Sequence, residues 1–275
     1  TVAVRGMSAS HTAVTWNGMP MTNPMLGMTD FSTIPSYFID RASLLHGSSS
    51  IAQTGGGIGG LVDLSTAPVE PDGLKAQYVQ GIGSFSTFDE FARISYGSEH
   101  WRASTRVVYS SSANDYTYLN HDKKLNIYDE DKNIIGQYHP REKNRNGAFK
   151  DLHILQDLYY RDSNNSAGIS AWYVNSDREL PLLTTDYADA SSFENRQREQ
   201  TLRAVASWSH YATKWSSTLR GGYIYTQTAY DYKREAAAGV MTPMTRARSY
   251  INSLYARADG EYSPARNWHF SLSLS

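Results

Sequence analysis

The sequence predicts an all-β transmembrane barrel, present as a fragment of about nine antiparallel strands and preceded by a small α+β domain. Apolar and polar residues alternate with period two in segments of about ten residues, the length of a tilted membrane-spanning strand. Tight turns alternate with long polar stretches, an asymmetry typical of outer-membrane barrels. Residues 1–70 lack this alternation and are rich in Gly, Ser, Thr and Met, so we assign them to the small domain and 71–275 to the barrel.

Composition excludes several other classes of protein. The 275 residues carry a net charge of −1 and no cysteine. This rules out the basic stripe of a nucleic-acid-binding protein, a disulfide framework and a thiolate metal site. The mean hydropathy is −0.52, and no segment reaches the roughly 20 apolar residues of a membrane helix. A barrel keeps such a polar average, because only alternate residues meet lipid.

Each predicted strand has one apolar face. In the last strand, Phe270, Leu272 and Leu274 share a face, whereas in the strand before Tyr211 a single apolar residue, Val205, falls on the polar face. The predicted strands are 74–84, 88–97, 101–110, 149–161, 167–177, 200–210, 215–230, 249–262 and 267–275. Long polar loops are predicted at 111–147, 177–198 and 231–248.

A soluble β-sandwich is the alternative fold, because Tyr and Trp favour strands in any β-protein. A sandwich would have no reason to sort its loops by length. Lipid does not tolerate an open sheet edge, and the chain stops inside an alternating strand at Ser275. We therefore expect further barrel strands after this chain, and a natural start before Thr1.

A glycine cluster at 55–60 satisfies the spacing G-x-G-x-x-G. A dinucleotide site would need a strand before these glycines and a helix after them. Here "GSSS" precedes the cluster and the β-rich "LVDLST" follows it, so a structural role for the glycines is favoured.

Five segments occur in a specific order: "VRG" (4–6), "TAVTWNG" (12–18), "TDFSTIP" (29–35), "IDRASLLHG" (39–47) and "GGGIGGLVDLST" (55–66). Together they resemble the plug domain of TonB-dependent outer-membrane transporters, and the cobalamin receptor type most closely. The resemblance implies that 1–70 is a plug lacking its N-terminal part. It also implies structural roles for Arg5, Gly6, Gly18, Asp30, Arg41, Gly59 and Gly60.

Three positions depart from the family pattern. Asn17 replaces the usual Asp before Gly, and it suits the same turn. Ser43 and His46 replace an acid and an arginine that help to lock the plug to the barrel wall in the family. Arg41 is then the remaining candidate for that lock.

The family resemblance implies energy-dependent import of cobalamin across the outer membrane of a Gram-negative bacterium. A ferric siderophore or haem is the alternative ligand, and a passive porin or adhesin barrel is the alternative class. The implied partners are TonB, through an N-terminal box outside this chain, outer-membrane lipid, and a surface lipoprotein as a further candidate. Neither His-Glu-x-x-His nor Gly-x-Ser-x-Gly occurs, so we expect no enzyme and no required cofactor.

The segment 16–30 holds four of the chain's 7 methionines and would form the apical loop of the plug. Methionine adapts to large, partly apolar ligands. A copper-binding thioether cluster is the alternative, but no Cys or His lies in the loop to complete it. The predicted ligand contacts are Met21, Asn23, Met25 and Met28, with Gln53 from a second loop.

The acidic loop 111–147 contains Asp129, Asp131 and Asn133, spaced like the start of an EF-hand. Ile134 occupies the position that needs glycine, which excludes a regular EF-hand. A looser calcium site formed by Asp122, Asp129 and Asp131 and a merely solvated acidic loop both remain open.

Overall fold

The computed structural model describes residues 12–22, 29–45, 60–69, 73–181, 193–237, 239–265 and 268–274. Within these ranges the chain forms 17 strands and two short 3-10 turns. In this described part, no helix has the length and apolar character needed to cross a membrane.

The N-terminal domain contains a four-stranded mixed sheet. Its strands are β1 (Thr12–Trp16), β2 (Met19–Pro20), β3 (Arg41–Leu45) and β4 (Gly60–Ser65). Their order is β2-β1-β4-β3, with β1 and β4 parallel and the other pairs antiparallel. The sheet therefore joins segments that are far apart in sequence.

The segment between β2 and β3 turns twice, at Phe31–Thr33 and Ser36–Phe38. Asp30 caps the first turn by accepting a hydrogen bond of 2.9 Å from the backbone N–H of Ser32. The second turn ends at Phe38, whose side chain is fully buried. The two turns thus carry the segment from an exposed cap to the core of the protein.

Nine strands form one antiparallel sheet, which curves around the N-terminal domain as a barrel wall. They are β5 (Gly73–Gly83), β6 (Thr87–Gly97), β7 (Trp101–Ser112), β12 (Phe149–Arg161), β13 (Asn165–Glu179), β14 (Phe193–Tyr211), β15 (Trp215–Ala237), β16 (Val240–Ala265) and β17 (Trp268–Leu274). Each strand pairs with the next of this series, and β5 and β17 lie at the two edges. The predicted set of nine antiparallel strands is confirmed.

The connections differ at the two ends of the wall. Segments 98–100, 162–164 and 212–214 join strands at one end, which we call the short-turn end. The opposite, long-loop end carries the long connections 113–148 and 180–192 together with the short ones 84–86 and 238–239. The first long loop has internal ladders, β8 (Thr117–Leu119) with β11 (Arg141–Lys143) and β9 (Leu125–Tyr128) with β10 (Ile134–Tyr138).

The predicted loop 231–248 is wrong, because β15 and β16 continue through most of it. Its charged residues pair across strands instead of lying in a solvated loop. Asp231 accepts hydrogen bonds from Arg246 at 3.3 Å and from Arg248 at 3.1 Å, and Lys233 donates to Glu194 at 2.8 Å. Cross-strand pairs of opposite charge stabilise neighbouring strands, so β15 and β16 stay paired through this segment.

The two faces of the wall have opposite character. Leu254, Leu272 and Trp208 point away from the N-terminal domain, and Leu254 is 87% exposed. Inward-facing side chains such as Leu155 are fully buried against that domain. Val205, the apolar exception on a polar face, is only 5% exposed because it packs in the central apolar cluster.

The apolar cluster between the N-terminal domain and the wall centres on Trp172 of β13. Its ring lies 5.4 Å from that of Trp16 and 5.6 Å from that of Phe38, both in edge-on geometry. Met19 packs on Gly222, where a Cβ atom would approach the Met19 sulfur to 2.7 Å. The absence of a side chain at Gly222 lets the N-terminal sheet lie directly against the wall.

We expect Phe38→Ala to loosen the docking of the N-terminal domain by about 3–5 kcal/mol, the usual effect of emptying a buried aromatic site. The measurement is protease cleavage of the N-terminal domain across a urea series. Leu44→Ala is the control, because Leu44 is 56% exposed on the same domain. Equal shifts in the two variants would contradict the assignment of Phe38 as the apolar anchor.

Candidate functional site

A buried guanidinium joins the N-terminal domain to the wall. Arg106, in the middle of β7, is fully buried. It donates hydrogen bonds to the Tyr37 carbonyl at 3.1 Å and to both carboxylate oxygens of Asp40, at 3.1 and 2.5 Å. Asp157 of β12 lies 3.9 Å from the same guanidinium. This paired charge ties the segment before β3 to two neighbouring wall strands.

Asp157 extends the contact through hydroxyl groups. It accepts a hydrogen bond of 2.6 Å from Ser170 and one of 3.3 Å from Thr66, which follows β4. Thr66 also lies 2.9 Å from the Tyr159 hydroxyl. We call Arg106, Asp40, Asp157, Thr66, Tyr159 and Ser170 the Arg106 cluster.

The turn Asn17–Gly18 closes on the same cluster. The Asn17 amide donates to the Thr66 hydroxyl and accepts from the Thr66 backbone N–H, both at 2.9 Å. Asn17 and Gly18 have φ values of 50° and 78°, as a tight hairpin turn requires. A Cβ atom on Gly18 would lie 2.5 Å from the Arg220 guanidinium of the wall, so glycine permits this close approach.

The contact to the wall uses the residue next to the predicted one. The side chain of Arg41, the expected lock, is exposed. Its neighbour Asp40 makes the ion pair, and also accepts a hydrogen bond of 2.9 Å from the backbone N–H of Ala67. Arg106 and Asp157 were not identified from the sequence. The polar face of β7 carries both Arg102 and Arg106, and that of β12 both Asp151 and Asp157, so the sequence pattern alone does not single out the pair.

Two adjoining cavities lie between the turns at 31–38 and the wall. The larger, of about 590 Å³, is lined by residues that include Tyr37, Asp89 and Glu90. The smaller, of about 210 Å³, contains Met21 and Trp172. Five residues line both cavities, and all but one of them are polar. We call them the shared lining: Thr33, Ile34, Asp151, His153 and Arg178.

Hydrogen bonds hold the polar side chains of the shared lining in place. Asp151 accepts from Ser176 at 2.5 Å and forms a two-pronged ion pair with Arg178. Trp172 donates from its indole N–H to His153 at 3.3 Å, and Arg203 stacks over the Trp172 ring at 5.4 Å. These contacts fix the charged groups that line the cavities, so the shared lining is a rigid surface with polar and aromatic side chains.

The structure places the predicted ligand contacts only in part. Met21 is 6% exposed, belongs to the apolar cluster and lines the smaller cavity. The other predicted ligand contacts, Asn23, Met25, Met28 and Gln53, lie outside the described residues, as do Arg5, Gly6, His46 and Gly59. Asp30 lines the smaller cavity, and Gly60 starts β4 with φ of 142°.

The three predicted calcium ligands occupy the loop at the long-loop end. Asp129 accepts hydrogen bonds from the backbone and side chain of Asn133, at 2.8 and 3.2 Å, and so closes the β9–β10 turn. Asp122 follows Asn120, to which its backbone N–H donates at 3.0 Å. Across the described ranges no three acidic or histidine side chains converge on a ready metal site. Calcium binding by Asp122, Asp129 and Asp131 stays a prediction.

Residues 1–61 match the family model described as TonB-dependent Receptor Plug Domain. The chain is 23% identical over 288 residues to the vitamin B12 transporter BtuB of Photobacterium profundum. This alignment covers 95% of the chain and 46% of the relative. The resemblance to TonB-dependent transporters inferred from the five motifs is confirmed.

Solved receptors share the fold. The ferric enterobactin receptor PfeA of Pseudomonas aeruginosa superposes with a TM-score of 0.65 at 14% identity, over 99% of this chain and 42% of that one. The siderophore receptor PiuA of Acinetobacter baumannii gives a TM-score of 0.61 at 12% identity, over 94% and 36%. The chain thus spans less than half the length of these relatives and contains a plug domain followed by nine barrel strands.

We expect Arg106→Met to weaken plug docking by about 3–5 kcal/mol, because it leaves the buried Asp157 carboxylate and the partly exposed Asp40 carboxylate without their cationic partner. Adding Asp40→Asn and Asp157→Asn should restore most of the loss, since these changes remove the unpaired charges. The urea midpoint for cleavage of the plug measures both effects.

Arg161→Met is the matched control for Arg106→Met, since Arg161 ends β12 with an exposed side chain. The cluster would lose its assigned role if Arg106→Met and Arg161→Met gave the same urea midpoint.

Proposed function

We propose, from the resemblance to TonB-dependent transporters, that the complete protein imports a large and scarce ligand across the outer membrane. The docked plug is the observation that carries this proposal. Its buried Arg106 cluster holds a folded domain against the inner wall of the barrel. A passive porin or adhesin has no use for such a domain, so active import is the better account.

Cobalamin is the proposed ligand. The support is the 23% identity to a vitamin B12 transporter, which extends over 95% of the chain. Ferric siderophores and haem are the alternative ligands, because solved siderophore receptors have the same fold. All three are bulky, so we infer that each binds to the docked plug first and passes through the barrel only when the plug moves.

The residues that line the two cavities support binding of a large ligand that has both apolar and polar surface. Apolar contacts supply most of the affinity in such sites, and a few fixed polar groups set the orientation. Tyr37 offers exposed aromatic surface, while the Asp151–Arg178 pair offers a charged one. We place the first contacts of the ligand on the apical loop, at Met21, Asn23, Met25 and Met28, with Gln53.

The same proposal assigns the partners and the location. TonB would supply the force on the plug, outer-membrane lipid would surround the wall, and a surface lipoprotein is a further candidate partner. The exposed apolar side chains of Leu254, Leu272 and Trp208 support contact with lipid. The role is binding and transport without catalysis, with bound calcium as an optional element of the long loop.

Parallel titrations of the intact protein with cobalamin, a ferric siderophore and haem test the ligand. We expect saturable binding of cobalamin, weakened at least tenfold, or about 1.4 kcal/mol, by Met21→Asp with Met25→Asp. Because Met21 is buried, the same protease assay must show that the plug stays docked.

Met241→Asp with Met244→Asp is the control pair for the two plug methionines, since these methionines are exposed on β16. If the protein bound only the siderophore or only haem, that compound would be assigned as the ligand in place of cobalamin. If the variant with Met21→Asp and Met25→Asp bound cobalamin with unchanged affinity, the apical loop would not be part of the binding site.

Ala206 tests the membrane assignment, since it lies on the outward face of β14 beside Trp208. We expect Ala206→Arg to destabilise the barrel by about 2–4 kcal/mol if the site lies near the bilayer midplane. Folding into lipid vesicles under denaturant gives the value, and Ala206→Leu should be nearly neutral. If Ala206→Arg left the stability of the barrel unchanged, this face would be in contact with water and not with lipid.

A further inference from the structure

Two histidines of the long loop come together in space. His121 follows β8 and His139 precedes β11, with the β9–β10 hairpin between them. Their ring centroids are 5.3 Å apart and the ring planes meet at 52°. This spacing brings two imidazoles within reach of one shared ion, and imidazole is the commonest side-chain ligand for transition metals.

The loop backbone around both histidines is fixed by Asn120, which is 1% exposed. Its N–H donates to the Pro140 carbonyl at 3.0 Å, and its side-chain amide donates to Glu142 at 2.9 Å. Asn120 adjoins His121 in the chain, and Pro140 adjoins His139. The hydrogen bonds therefore fasten the two histidine-bearing segments to each other.

A hydrogen bond also orients the ring of His139. Its Nδ1 lies 2.9 Å from the carbonyl oxygen of Lys123. A carbonyl oxygen only accepts, so Nδ1 carries the proton and the lone pair is on Nε2. Metal-binding histidines commonly donate from one ring nitrogen to a backbone carbonyl in this way, which sets the tautomer and leaves the other nitrogen as the ligand.

One charge close to the pair is neutralised, that of Lys123, whose backbone carbonyl lies 2.9 Å from His139 Nδ1. The Lys123 ammonium group donates to Glu142 at 2.7 Å. Hydrogen bonds from Lys123 and then Asn120 lower the pKa of the Glu142 carboxyl, so this group is ionised at neutral pH. Asp122, next in the chain to His121, is exposed and adds no positive charge.

We propose that His121 and His139 bind one divalent transition-metal ion, such as Zn²⁺, Ni²⁺ or Cu²⁺, at the long-loop end of the barrel. Within the described part of the chain, no third histidine or carboxylate completes a ready site. The remaining coordination positions are thus open to water or to donor atoms of another molecule. Calcium, which takes oxygen ligands, would not use this pair. The proposal does not depend on the transport function.

The test is calorimetric titration of the intact, detergent-solubilised protein with Zn²⁺ and Ni²⁺ at pH 7.5. We expect saturable binding of one ion, weakened at least tenfold by His121→Gln or His139→Gln and abolished by both changes. Acidifying the solution should weaken binding, because protons compete with the metal ion for the imidazole nitrogen.

His100→Gln is the matched control. The Nδ1 atom of His100 also lies near a backbone carbonyl, at 3.2 Å from that of Arg161, but its ring neighbour is Tyr160 instead of a second histidine. This variant should bind the ion like the original protein, and metal-free melting curves should show all variants folded.

Absence of saturable Zn²⁺ or Ni²⁺ binding by the original protein would overturn the proposal. So would equal binding by the double variant, which would assign the ion to other residues. The parallel titrations with cobalamin, siderophore and haem report on the transport proposal separately, so failure of one proposal leaves the other intact.

Discussion

The packing of the plug against the barrel depends on the burial of one charge, that of Arg106. A guanidinium removed from water must find acceptors, or the structure is destabilised by several kcal/mol. Its acceptors here come from the Tyr37 carbonyl and the Asp40 carboxylate, with Asp157 alongside. Because these groups belong to the plug and to two wall strands, satisfying the charge fixes both the depth and the rotation of the plug.

Each strand of the wall has an apolar outer environment on one side and the polar interior of the barrel on the other. Period-two alternation sends apolar side chains outward and leaves the inner face for polar groups that pair across strands. Ser176 with Asp151 at 2.5 Å and Thr201 with Thr226 at 3.2 Å are such pairs. Where the plug presses on the wall, the inner face becomes apolar, and this explains the burial of Val205.

Local patterns were predictable from the sequence, and long-range pairings were not. All nine wall strands follow from alternation, because each pattern lies within one strand. The pattern does not predict that β14 begins at Phe193, that β15 continues after 230 or that β16 begins at Val240, because charged residues pair across the strands there. The predicted loop 177–198 is therefore shorter in the structure, at 180–192. The Asp40–Arg106 contact was missed because it joins residues 66 positions apart. Arg41 and Asp40 are adjacent charged residues at the start of β3, and the sequence pattern does not show which of them faces the wall.

The Arg106 cluster and the apolar cluster have different roles in plug docking. Among the described residues, Nε of Arg106 and one oxygen of Asp157 have no hydrogen-bond partner, and the closest approach of the two groups is 3.9 Å. A partly satisfied buried pair adds little net stability, although breaking it is costly. The edge-on packing of Phe38 and Trp16 on Trp172 must then supply most of the docking energy. The charges select one orientation out of those that the apolar surface would allow.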